Sequence, residues 1–144
     1  MKKSIRNIRY LVVHCSATPE GRDHTAKDIA LWHEQRGFNE IGYNYIVRLD
    51  GTVELGRDVN KIPAHVTNHN KDSIGICYIG GIDKNTLQPK DTRTSAQKEA
   101  LKKLLTELKA LYPEAEILGH RDFPGVAKAC PCFNAKDEYK TISK

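Results

Sequence analysis

Two apolar runs in this chain, IRYLVVH over 8–14 and AEILGH over 115–120, each close on a histidine. Both read as short buried strands, and a third run, SIGICYIGG over 73–81, is apolar throughout. Strands of this kind need a layer packed against them. Two segments with helical spacing can supply it. In TAKDIALWHEQRG, Ile29, Trp32 and His33 recur at helical intervals, Thr25 and Asp28 form a capping box, and Gly37 supplies the stop. Over 94–111, Thr94 and Gln97 form a second capping box, Leu101, Leu104, Leu105, Leu108 and Leu111 make one apolar stripe, and Pro113 follows. The unit YNYIVRLDGTVELGRD holds two alternating runs around Asp50-Gly51, a hairpin signal. These elements predict an α/β fold, a central mixed β-sheet with flanking α-helices. No repeat, linker or low-complexity tract divides the chain, so residues 1–144 are expected to form one domain. Residues 16–24 and 62–73 read as loops, and the tail from Ala135 is expected to be peripheral.

Composition excludes several classes. A content of 39% hydrophobic and 28% charged residues fits a globular protein with a real core. No apolar run approaches the roughly 18 residues that span a bilayer. The start, MKKSIRNIRYLVV, is basic, but its apolar stretch is short and ends in a histidine. It reads as the first strand and not as a signal peptide. The net charge of +5 suits anionic partners, such as nucleic acid, anionic lipid or wall polymers. The basic residues are dispersed, however, and the lysines of the later helix form a solvated face. No nucleic-acid or membrane partner is expected, and the chain is expected to be a monomer. The four cysteines read as reduced thiols. Cys15 and Cys77 fall in apolar strands, whereas Cys130 and Cys132 fall in a loop beside His120 and Lys128.

If the two histidine-ending strands are neighbours, both imidazoles emerge at one edge of the sheet, and the loop after His120 can deliver Cys130. Two imidazoles and one thiolate are the ligand set of a zinc site that keeps its fourth position for water. Two rivals share these residues. Cys132 as a fourth ligand would close the shell and make the zinc structural. Cys130 as a nucleophile beside histidine would make a thiol hydrolase that needs no metal.

The segments VVHCSAT, WHEQRGF, IGYNYIVRLDGTVELGRD, AH…N…SIGICYIGGID and GH…KACPCF carry a resemblance that spans most of residues 10–134. In content and order they resemble the type 2 N-acetylmuramoyl-L-alanine amidases, the T-odd phage lysozymes among them, whose fold is shared by the peptidoglycan recognition proteins. The resemblance implies one Zn2+ per chain, held by His14, His120 and Cys130. It also implies Tyr43 and Lys128 as catalytic residues and puts His65 where the family often has a substrate-side histidine. Asn70, in the same polar loop, is read as a second substrate-binding residue or as a cap of that loop. The implied substrate is bacterial peptidoglycan, cut between N-acetylmuramic acid and L-alanine. Zinc would activate water and polarise the carbonyl, while a lysine and a tyrosine hydroxyl suit a developing oxyanion. His24, His33 and His69 are expected to be structural or exposed.

One departure stands out, because Cys132 replaces the small residue usual in the family. Pro131 fixes the backbone between the two cysteines, so both sulfurs are not expected to reach one metal; the resemblance then selects Cys130, whose offset from Lys128 matches the family's cysteine ligand. A non-catalytic peptidoglycan-binding module and a polymerase-inhibiting regulatory protein of the same fold are the competing functions. The cysteine ligand speaks against the first, and the second depends on a specific partner. A wall substrate with no export signal implies cytoplasmic synthesis followed by release, the pattern of a phage or prophage enzyme.

Overall fold

The computed structural model describes residues 3–126 and 129–142. A five-stranded mixed sheet runs through the centre in the order β4-β3-β5-β1-β7. Strand β1 (Tyr10–Cys15) lies parallel between β5 (Ser73–Tyr78) and β7 (Glu116–Gly119). Strand β3 (Tyr45–Val47) pairs parallel with β5 and antiparallel with β4 (Val53–Leu55), which is the predicted hairpin. The three apolar runs thus form the middle and one edge of the sheet.

Alternation along β1 assigns the two faces. Leu11, Val13 and Cys15 join Ile74, Ile76 and Tyr78 under the leucine stripe of α2 (Ser95–Leu111). On the other face, Ile46, Cys77 and Ile79 pack against Ile29 of α1 (Ala26–Gln35), and Val12 packs with Val66, Leu118 and Phe123. Both predicted capping boxes form, with the Thr25 and Thr94 hydroxyls accepting the Asp28 and Gln97 amides. Gln97 is also fully buried, and its side-chain amide donates to the Ile79 and Val47 carbonyls, pinning the start of α2 to the sheet.

Two expectations are corrected. The loop over 16–24 contains a strand, β2 (Thr18–Pro19), which pairs parallel with β6 (Gly81–Ile82). Two residues are too few to show a period, so no sequence pattern marked it. The tail is not peripheral. It forms α3 (Ala135–Glu138), and Ala135 and Tyr139 are buried with Phe133 in the α2-side core. The charges that flank these residues concealed them.

Arg93 fastens this tail. Its side chain is 2% exposed and its guanidinium carbon lies 3.4 Å from the Phe133 ring centre. It donates to both Asp91 oxygens at 2.9 Å and to the Glu138 oxygens at 2.7 and 2.9 Å. Removing a buried charge strands its partners, but Asp91 and Glu138 are 32% and 43% exposed and water can solvate them. Arg93→Met is therefore expected to lose about 2–3 kcal/mol in urea unfolding, below the full cost of breaking a buried pair. Hydrogen bonds from Arg93 hold Glu138 below its ordinary pKa. A depressed carboxylate stabilises above its unfolded pKa of about 4.3, and that contribution disappears as pH falls through the folded value. The gap between wild type and Arg93→Met should accordingly narrow in acid, below about pH 4.

Candidate metal centre

The sheet register brings the first two donors together. Val13 pairs with Gly119, so His14 and His120 come next along adjacent parallel strands, both on the α1 side. Their ring centres are 4.5 Å apart. His120 opens a single 3-10 turn (His120–Asp122), whose Asp122 carboxylate accepts the Gly119 amide at 2.8 Å. The third donor arrives from the loop beyond. Gly119 makes space for it, because a Cβ there would stand 2.8 Å from Pro131 Cδ. The Arg121 amide donates to the Cys130 carbonyl at 2.9 Å, and the Cys15 amide donates to the Cys130 sulfur at 3.1 Å.

Cys130 Sγ lies 3.8 Å from His14 Nδ1, and one donor atom each from His14, His120 and Cys130 falls within 4.8 Å of the others. A tetrahedral zinc with bonds of about 2.0–2.3 Å wants its ligands roughly 3.3–3.8 Å apart. The donor set and its spacing fit that ion with small side-chain adjustments. This is the trio expected from the strand-end histidines.

The structure places the remaining expected residues as follows. The Tyr43 ring lies 5.0 Å from that of His14, and the side chain lines the same cleft. Burial, and then the neighbouring thiols, push the Tyr43 pKa well above its ordinary value, so the hydroxyl keeps its proton at neutral pH. His65 packs edge-on against His14, with ring centres 4.9 Å apart. Its Nδ1 is 2.7 Å from His14 Nε2, and its Nε2 is 2.8 Å from the Ser73 hydroxyl, which donates to the His69 carbonyl at 2.6 Å. Burial, and then the nearby positive groups, lower its pKa to about 3, so it is a neutral imidazole. The Asn70 side-chain oxygen accepts the amides of His65 and Val66, both at 2.9 Å, and thereby shapes the loop. Arg6 braces the same loop by donating to the Ser73 carbonyl at 2.9 Å. Lys128 lies outside the described residues.

Cys132 stands apart from the three donors. Its sulfur is 3.9 Å from Cys15 Sγ and 3.3 Å from the Gly81 carbonyl oxygen. His33, expected to be structural or exposed, is structural: its Nδ1 accepts the Gly42 amide at 2.8 Å and its ring packs 5.4 Å from Tyr43. It sets the turn that delivers Tyr43, and its place on the inner stripe of α1 was the available signal.

His14, Tyr43, His65, His120 and Cys130 line one cleft of about 370 Å³. His65 and His120 also border a second cleft of about 580 Å³, walled by His69, Phe123 and Val126. The three donors line the first cleft, and His120 borders the second as well, an arrangement suited to a ligand that extends on both sides. A further cleft of about 500 Å³, between α2 and the hairpin, lies on the opposite face of the sheet.

Comparison with known proteins shows the family and the fold. A family model described as N-acetylmuramoyl-L-alanine amidase matches residues 4–133. The endolysin of Klebsiella phage KP32 is 43% identical over 126 residues, covering 88% of this chain and 82% of its own. The N-acetylmuramoyl-L-alanine amidase LysC from Clostridium intestinale superposes with a TM-score of 0.77 at 27% identity, over 96% of this chain and 88% of that one. A complex of peptidoglycan recognition proteins LCa and LCx bound to tracheal cytotoxin matches with a TM-score of 0.74 at 27% identity, over 98% and 86% of the two chains.

Proposed function

The chain belongs to the N-acetylmuramoyl-L-alanine amidase family, and from that premise we propose that it cuts peptidoglycan as a zinc amidase whose ligands are His14, His120 and Cys130. The observation that carries the reading is the three donor atoms within 4.8 Å of one another in one cleft, with a second cleft adjoining at His120. Zinc, when bound, lowers the pKa of a water ligand towards about 7 and polarises a carbonyl.

The chain's own residues supply the rest. The glycan lies in one hollow and the stem peptide in the other, which puts the lactyl–alanine amide in front of the donors. Tyr43 keeps its proton and donates to the amide oxygen as negative charge develops there. Lys128, assigned by its position two residues before Cys130, adds a cation for the same oxygen or a proton for the departing amine. Asn70 and His65 act through the loop and through His14, forming the wall that the substrate meets. The enzyme reaches the wall after release from the cell that makes it, as its phage endolysin relatives suggest.

Digestion of purified peptidoglycan, read by mass spectrometry, should release stem peptides with a free L-alanine amino terminus and leave glycan strands intact. Activity should disappear after treatment with a strong chelator and return with one equivalent of zinc. Folded, zinc-loaded protein that leaves the wall uncut, or activity that survives complete chelation, would overturn the proposal.

A further inference from the structure

We propose that Ser73 and His65 are positioning residues that fix the tautomer of His14, directing a bare Nδ1 at the metal. Ser73 has one hydroxyl hydrogen, and at 2.6 Å it meets the His69 carbonyl, which can only accept. The lone pairs of Ser73 Oγ are then what His65 Nε2 meets at 2.8 Å, so His65 carries its hydrogen on Nε2. A neutral imidazole has one N–H, which leaves His65 Nδ1 as an acceptor. His14 Nε2, 2.7 Å away, therefore donates to it, and His14 Nδ1 is left with a lone pair. That nitrogen is the one 3.8 Å from Cys130 Sγ. Were the Ser73 proton turned the other way, the line of hydrogen bonds would reverse and put a hydrogen on His14 Nδ1, where no ligand bond could form.

The sequence builds this line from one face of β5. Side chains alternate along a strand, so Ser73, Gly75 and Cys77 share the face that carries His14 and His65. Ser73 supplies the acceptor, and Gly75 supplies the seat. A Cβ at Gly75 would stand 3.0 Å from His65 Cγ and Nδ1, closer than side chains normally pack. The bonds from the His65 and Val66 amides to Asn70 fix the backbone that holds the ring. Orienting partners of this kind set ligand basicity as well as ring angle, and their loss typically weakens metal binding about 10–100-fold.

The inference rests on His14 being a zinc ligand, and its test separates the two claims. Long-range 15N–1H correlation spectra of histidine-labelled full-length protein, before and after one equivalent of zinc, report each tautomer directly. His65 and His14 should both show the Nε2–H form without metal, and zinc should then shift His14 Nδ1 alone of that ring's nitrogens. In Ser73→Ala, the spectra should show His65 or His14 leaving that form, and competition with a chromogenic chelator should show zinc held about 10–100-fold more weakly. An Nδ1–H form of either ring in the wild-type protein would overturn the relay. So would a Ser73→Ala protein with wild-type tautomers and zinc affinity. If both wild-type tautomers are as stated and no zinc binds, the relay stands and the zinc assignment falls. Because the first measurement uses the unaltered chain, poor folding of the variant leaves the question decided.

Discussion

Replacing Cys130 with serine will remove zinc and lower peptidoglycan hydrolysis by more than about 10³-fold, since the activated water and the Lewis acid leave with the ion. The fold will stay. Cys130 is only partly buried and sits at the margin of the α2-side core. Its sulfur accepts the Cys15 amide, and a serine oxygen can accept the same hydrogen. What serine cannot supply is a thiolate. Elemental analysis should give less than one-tenth of an equivalent of zinc, on the order expected from losing one of three ligands, with an unchanged circular dichroism spectrum. Cys132→Ser is the matching control and should keep both metal and activity, because the Cys132 sulfur faces Cys15 and the Gly81 carbonyl. Zinc retained by Cys130→Ser and lost by Cys132→Ser would reverse the assignment, and zinc lost by both variants would revive the closed four-ligand structural site.

Tyr43→Phe should have the second-largest effect, with a different signature. Phenylalanine keeps the ring that packs 5.0 Å from His14 and 5.4 Å from His33, so the metal and the cleft remain. Only the hydroxyl goes. Loss of one donor to a developing oxyanion typically costs about 10²–10³-fold in kcat. KM should change little, because an interaction made chiefly in the transition state does not hold the ground state. Zinc content at the wild-type level together with a kcat at the wild-type level would remove Tyr43 from the chemistry. The two variants thus divide the site, one losing the ion and the other losing only its assistant.

The parts of this molecule legible in its sequence are those governed by neighbours a few residues away. Helix α2 begins at the Thr94 cap, and the hairpin turns at Asp50-Gly51, because capping hydroxyls and turn residues act locally. The pairing of His14 with His120 was legible for another reason. Each closes an apolar strand, and adjacent strands place their ends together. The position of His65 was not. It depends on Gly75 leaving room and on Ser73 presenting a hydroxyl, two facts about a strand that reads only as apolar. The burial of the tail was hidden in the same way, since Arg93 reaches Glu138 across a separation that no local pattern records. Cys132 found its partner in Cys15, on the first strand, which spacing alone does not disclose.

The central place of β1 has a consequence for how the enzyme is made. Its pairing partners begin at Ser73 and Glu116, so the strand that carries the first metal donor is also the one that waits longest for both neighbours. Parallel pairings across such separations close late, after the intervening chain has collapsed. On the ribosome, His14 emerges early, but the second and third donors emerge only after more than a hundred further residues. With the proposed ligands, a nascent chain has no finished place for the ion, and zinc would arrive as the last component of a nearly complete fold. Zinc bound there would stabilise every pairing that brought the three donors together, and so hold the topology as well.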